Sequence, residues 1–175
     1  MDFELKSISV QSIPEALAKV ERYRLLNEPV LAESICLDVL AIVPDHQQAL
    51  ISLLLARTDQ FHFNVQPKGA QEVLARIKGD FEQAYYAGVI SERLGNARIR
   101  HGDPGARTSA YHALRDAMSH YEKAMNFAPP GNDDAILRWN TCARMIMHNL
   151  DIHPLSEDDP QAWLRDEAGS RIADA

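Results

Sequence analysis

Apolar residues recur every three or four positions along almost the whole chain. That spacing lines them up on one stripe of an α-helix, and no run alternates in the two-residue manner of a strand. Together with its breakers, the pattern predicts helices over 14–27, 30–43, 46–58, 69–78, 81–100, 107–127 and 134–149. Ser12 and Pro14 suit the cap and first turn of the first helix, and Glu28-Pro29 ends it. Pro44 stops the second. A loop, "DQFHFNVQPKG", follows the third, with Pro67 and Gly69 as breakers. Lys78-Gly79-Asp80 divides the next two helices, with Asp80 as cap. "HGDPGA" is a turn, and "PPGND" ends the sixth helix, leaving Asp133 or Asp134 to cap the last. "ALISLLLA", within the third helix, is apolar nearly all round, which a helix with one open face is not.

The phrase "AESICLDVLAIVPDHQQAL" at 32–50 returns as "DAMSHYEKAMNFAPPGNDDAIL" at 116–137. With Pro44 set against Pro129, Ala32 faces Ala117, Cys36 faces Tyr121, Val39 faces Ala124, Leu40 faces Met125 and Ile42 faces Phe127. A helix pair cannot bury its stripe alone, whereas stacked pairs can, and small residues belong where two helices come close. The phrase resembles the second helix of the tetratricopeptide repeat (TPR), a 34-residue helix-turn-helix unit, and most of all its bacterial members. The resemblance implies an all-α, right-handed superhelix of antiparallel helix pairs with a C-terminal capping helix. An arm over 1–12 would precede repeats over 13–46, 47–80 and 81–131 and a cap over 132–150. Tyr23 falls where the family carries an aromatic, and Ala84, Ala87 and Gly88 where it carries small residues. The middle unit departs from the pattern: Leu54 stands where a small residue is usual, and Ala70, Leu74 and Ile77 fit only after an insertion. The third unit needs two over-long helices around the 101–106 turn.

In such stacks the first helices line a concave face. The resemblance puts Leu17, Glu21, Arg24, Ile51, Leu55, Tyr85, Val89 and Glu92 on it, as a groove for a protein or peptide partner. The apolar strip among them is either core, or covered by a partner peptide, a second copy of the chain or the chain's own terminus. The variant of the family that grips acidic C-termini needs Lys and Asn where this chain has Leu17 and Glu21. A non-catalytic scaffold follows, an adaptor or a secretion-type chaperone, with no cofactor. The alternatives are an all-α enzyme with a polar pocket near Arg93, Arg98 and His112, or an RNA-binding helical repeat.

Composition sharpens this. The chain has 175 residues, 46% hydrophobic and 25% charged, enough for one domain with a sizeable core. Its net charge of −7 argues against a nucleic-acid partner, which asks for a basic face. The charge is uneven: residues 151–175 hold seven acids against two bases, a −5 tail. Within it "DDPQAWLRDEAG" carries helix start and stop signals, predicting a short helix near 159–168 that must dock to persist. Arg93, Arg98, Arg100, Arg107 and Arg115 cluster around the 101–106 turn, a dock for an acidic partner or for that tail. Two cysteines, Cys36 and Cys142, sit in helical stripes as small buried hydrophobes. Neither a signal peptide nor a membrane span is expected, which suggests the cytoplasm. Nucleotide-loop, hydrolase and zinc motifs are absent from the sequence. The seven histidines lack the spacing of a helical zinc pair, so no metal site is expected.

Overall fold

The computed structural model describes residues 3–63, 66–102, 105–149 and 151–154. Among these there is no strand. The helices are α1 (Ile13–Leu25), α2 (Pro29–Ile42), α3 (Gln47–Asp59), α4 (Lys68–Leu74), α5 (Asp80–His101), α6 (Ala106–Met125) and α7 (Asp134–His148). Single 3-10 turns, Val10–Ser12 and Gln60–Phe63, precede α1 and follow α3. The fold is therefore all-α. The predicted acidic helix near 159–168, with Trp163, lies outside the described residues.

The helix ends differ from expectation in their chemistry. Ser12 has helical angles (φ −85°, ψ −6°) because the 3-10 turn runs straight into α1. Its hydroxyl therefore turns back and donates to Ser9 O at 2.7 Å instead of capping. Asp80 is the first residue of α5, not its cap. The cap is Gly79, whose φ of 98° ends the preceding turn in a conformation that favours glycine. At α7, Asp133 holds the cap position without a side-chain cap bond, and Asn132 Oδ1 accepts from Asp134 N–H at 3.0 Å. α4 stops early, at Leu74. Gln83 reaches back from α5 and its side-chain amide donates to Leu74 O and Ile77 O, satisfying carbonyls that a longer helix would have paired internally.

Each helix packs on the next, and α1 also meets α3 while α3 meets α5. Three aligned pairs of the repeated phrase are buried alike, whereas Phe127 is 52% exposed where Ile42 is half-buried. Ala32, Cys36 and Val39 on α2, and Ala117, Tyr121 and Ala124 on α6, are all 0% exposed. α5 and α6 approach closely because α5 is glycine-bearing where they cross. A Cβ on Gly88 would lie 2.5 Å from the Tyr121 ring, and one on Gly95 3.2 Å from Leu114. Two apolar clusters result. One gathers α1–α4 and takes Ile90 and Ala97 from α5; the other joins Val89 to α6, α7 and Ile152. Leu55 and Tyr86 pack against both. No helix among the described residues is long and apolar enough to cross a membrane.

Candidate functional site

A row of charged side chains ties the alternate helices α1, α3, α5 and α7. Arg24 on α1 donates through Nε to Asp59 Oδ2 on α3 at 2.8 Å. Arg93 on α5 donates through Nη1 to the other oxygen of Asp59, to Thr58 Oγ1 and to Leu55 O. One residue before Arg93, Glu92 turns towards α7 and accepts from Arg138 Nη1 at 2.9 Å and from Tyr121 OH at 2.6 Å. Arg138 Nε donates to Tyr85 OH at 3.0 Å, with the guanidinium 5.8 Å from the centre of that ring. Glu92 is 7% exposed, and its carboxylate has the two donors that a buried polar group requires. Burial works against the charge on Arg138, but Glu92 beside it holds its pKa above the ordinary arginine value. Burial raises Tyr121, and the Glu92 carboxylate raises it further, so the phenol stays a donor. Burial outweighs Asp59 at Arg93, and its pKa is lowered.

A cavity of about 400 Å³ opens along this row. Thr58, Asp59, Glu92, Arg93 and Arg138 line it, and so do Asn27, His62, Asn96 and Arg100. Asn27 follows α1 with φ 59°, a turn residue that asparagine tolerates better than most. His62 Nδ1 is buried with no hydrogen-bond partner among the described residues. Its pKa is lowered, first by burial and then by Arg100, His101 and Arg93, with Asp59 opposing.

Of the groove residues taken from the resemblance, Arg24 and Glu92 belong to this row, and Tyr85 touches it. Leu17 and Val89, 4% and 0% exposed, are core. Ile51 and Leu55 are half-buried, and Glu21 is exposed. The five arginines do not form one dock. Arg93 and Arg100 line the cavity. Arg98 donates to Ser109 O at 2.9 Å across the α5–α6 pair. Arg107 pairs with Asp151 at 3.1 Å, and Arg115 is exposed on α6. Neither Arg98 nor His112 lines the cavity that Arg93 lines; His112 is exposed and meets Tyr111 edge-on.

Asp59, Arg138, His62 and Asn96 line the cavity without being marked by the helical period or the resemblance. Arg93 follows Glu92, a position that the resemblance implies for the groove, by one residue, a signal that could have pointed to it. Arg138 carries no such signal. Burial raises both thiols, Cys36 and Cys142, to about 12, so neither is a thiolate at neutral pH. Among the described residues no three His, Cys, Asp or Glu side chains are placed to hold a metal ion. Compared with family models, with curated proteins and with solved structures, the chain finds no match.

Proposed function

We propose that this chain is a TPR-like, non-catalytic binding module whose helix pairs stack as a right-handed superhelix, and that the face shared by α1, α3, α5 and α7 takes a peptide segment of another protein. The observation that carries the reading is the row from Arg24 through Asp59 and Arg93 to Glu92 and Arg138. It links alternate helices, so their side chains share one surface, and it fixes long side chains there before any ligand arrives. Half-buried Ile51, Leu55 and Tyr85 supply apolar contact beside it. Both thiols are buried and protonated, and the carboxylates of Asp59 and Glu92 are held by arginines, an arrangement suited to recognition rather than to proton transfer or nucleophilic attack.

The test is selection of peptides from a random display library on the full chain, followed by affinity measurement on variants. Peptides that lose at least about ten-fold, roughly 1.4 kcal/mol, on Ile51→Ser or Glu21→Lys support the groove. Selected peptides indifferent to both substitutions would remove the concave face as the binding surface.

A further inference from the structure

The cavity between α3, α5 and α7 has a surplus of donors and positive charge. Among the described residues, Arg93, Arg100 and Arg138 line it together with two acids, Asp59 and Glu92, and both acids are already held, Asp59 by Arg24 as well as Arg93. Arg138 spends Nε and Nη1 on Tyr85 and Glu92, which leaves Nη2. Arg100 lines the cavity, is exposed, and among the described residues enters no ion pair. The Asn96 amide adds further donors. Such a surface, on a chain of net charge −7, selects acceptor oxygens and negative charge.

The chain itself carries that chemistry nearby. Asp151 is paired with Arg107, the second residue of α6, and Ile152 is 2% exposed within the α5–α7 cluster. The backbone is therefore anchored at the start of α6 as it reaches Pro154. Arg100 is next to the last residue of α5, and only four residues of the chain separate α5 from α6. The acids Glu157, Asp158 and Asp159 come three to five residues after Pro154, and five residues span at most about 17 Å. Trp163 follows them. Resting on the concave-face reading above, we infer that the acidic segment 157–159 is the cavity's resident occupant, its carboxylates on Arg100 and Arg138, with Trp163 against Ile51, Leu55 and Tyr85. An external acidic peptide then binds by displacing it. At the millimolar effective concentration of a short tether, even a weak site is occupied in cis.

The full chain with Trp139→Phe leaves Trp163 as its single tryptophan, and acrylamide, being uncharged, reports exposure without bias from the acids. At low salt Trp163 is expected to be shielded. Arg100→Gln, or Glu157→Gln with Asp158→Asn and Asp159→Asn, should raise its quenching to that of N-acetyltryptophanamide, whereas Arg115→Gln should not. Fluorescein-labelled hexaglutamate should bind the neutralised triple variant about ten-fold more tightly than the parent chain. Its binding should fall steeply with salt and be lost on Arg100→Gln. Three outcomes overturn the inference: Trp163 fully exposed in the parent chain, shielding that survives Arg100→Gln, or hexaglutamate affinity unchanged by the triple substitution. None of them touches the display selection, so the concave face would stand or fall separately.

Discussion

Gly88 shows how much one missing methyl group decides. In an exposed helix interior, replacing glycine by alanine gains up to about 1 kcal/mol. At Gly88 the added Cβ would meet a Tyr121 ring that is itself fully buried and tied to Glu92, so the ring cannot give way. Gly88→Ala is expected to destabilise by about 1–3 kcal/mol, the usual cost of overpacking. Ala32→Leu and Ala117→Leu, both at fully buried positions of the repeated phrase, should each cost a similar amount. Urea midpoints check all three. A Gly88→Ala midpoint at or above the wild-type value would mean that α5 and α6 can separate freely. His62 gives a pH dependence. Its folded pKa lies below the ordinary 6.5, so the unfolded chain takes up the proton first. The stability that neutral His62 contributes is complete above about pH 6.5 and is lost as the pH falls below it. The lowered pKa of His120 acts in the same direction, so the measurement is a difference. The fall in melting temperature from about pH 7.5 to about pH 5.5 should be smaller in His62→Asn than in the wild type. Equal falls in the two proteins would contradict the lowered pKa of His62, which burial and the neighbouring cations produce.

At the scale of elements, the unit that matters is the joint of α5, α6 and α7. Glu92 is its hub, accepting from Tyr121 on α6 and Arg138 on α7. Tyr121→Phe removes one donor to a buried charge, and an expected loss of about 1.5–3 kcal/mol follows. Glu92→Gln leaves the Arg138 guanidinium, 29% exposed, facing a neutral amide, at an expected cost of about 3 kcal/mol. The two losses should not add. The double mutant should be less destabilised than their sum, with a coupling of about 0.5–3 kcal/mol, because both act through one carboxylate. Simple additivity in denaturant titrations would show that the tyrosine hydroxyl and the ion pair are independent. The same joint accounts for the length of α5 and α6, 22 and 20 residues. Both extend past the Glu92 level, α5 to His101 and α6 from Ala106, and Arg107 in the first turn of α6 meets Asp151.

For the whole molecule, the question is whether two clusters make one cooperative body. Cys36 belongs to the α1–α4 cluster and Cys142 to the α5–α7 cluster, and both are 0% exposed. α5 places Ile90 and Ala97 in the first and Val89 in the second, while Leu55 and Tyr86 pack against both. The Arg93–Asp59 pair crosses the boundary as well. These ties predict a single transition: in rising urea, Cys36 and Cys142 should become reactive to a thiol reagent at coincident midpoints. Midpoints that separate would show two bodies joined only through α5. In native buffer both thiols should be inert, since each is buried and held protonated.

Among the described residues, the sequence by itself determined the order and approximate bounds of the helices. Helix formation follows from local period and punctuation, and Pro29, Pro44, Gly79, Gly102 and the 129–133 run stand where helices start or stop. It also located the tight contacts: the repeated phrase put Ala32, Cys36, Ala117 and Tyr121 at helix positions that both copies bury completely. Only the tertiary structure decided what happens between helices far apart in the chain. Arg24 meets Asp59 across 35 positions, and Arg138 meets Glu92 across 46. Periodicity says which face of a helix is apolar, not which distant charge lies opposite it. For that reason five arginines close together in sequence separate into cavity, helix joint and surface. For the same reason the residues lining the cavity had to be read from how α3, α5 and α7 pack.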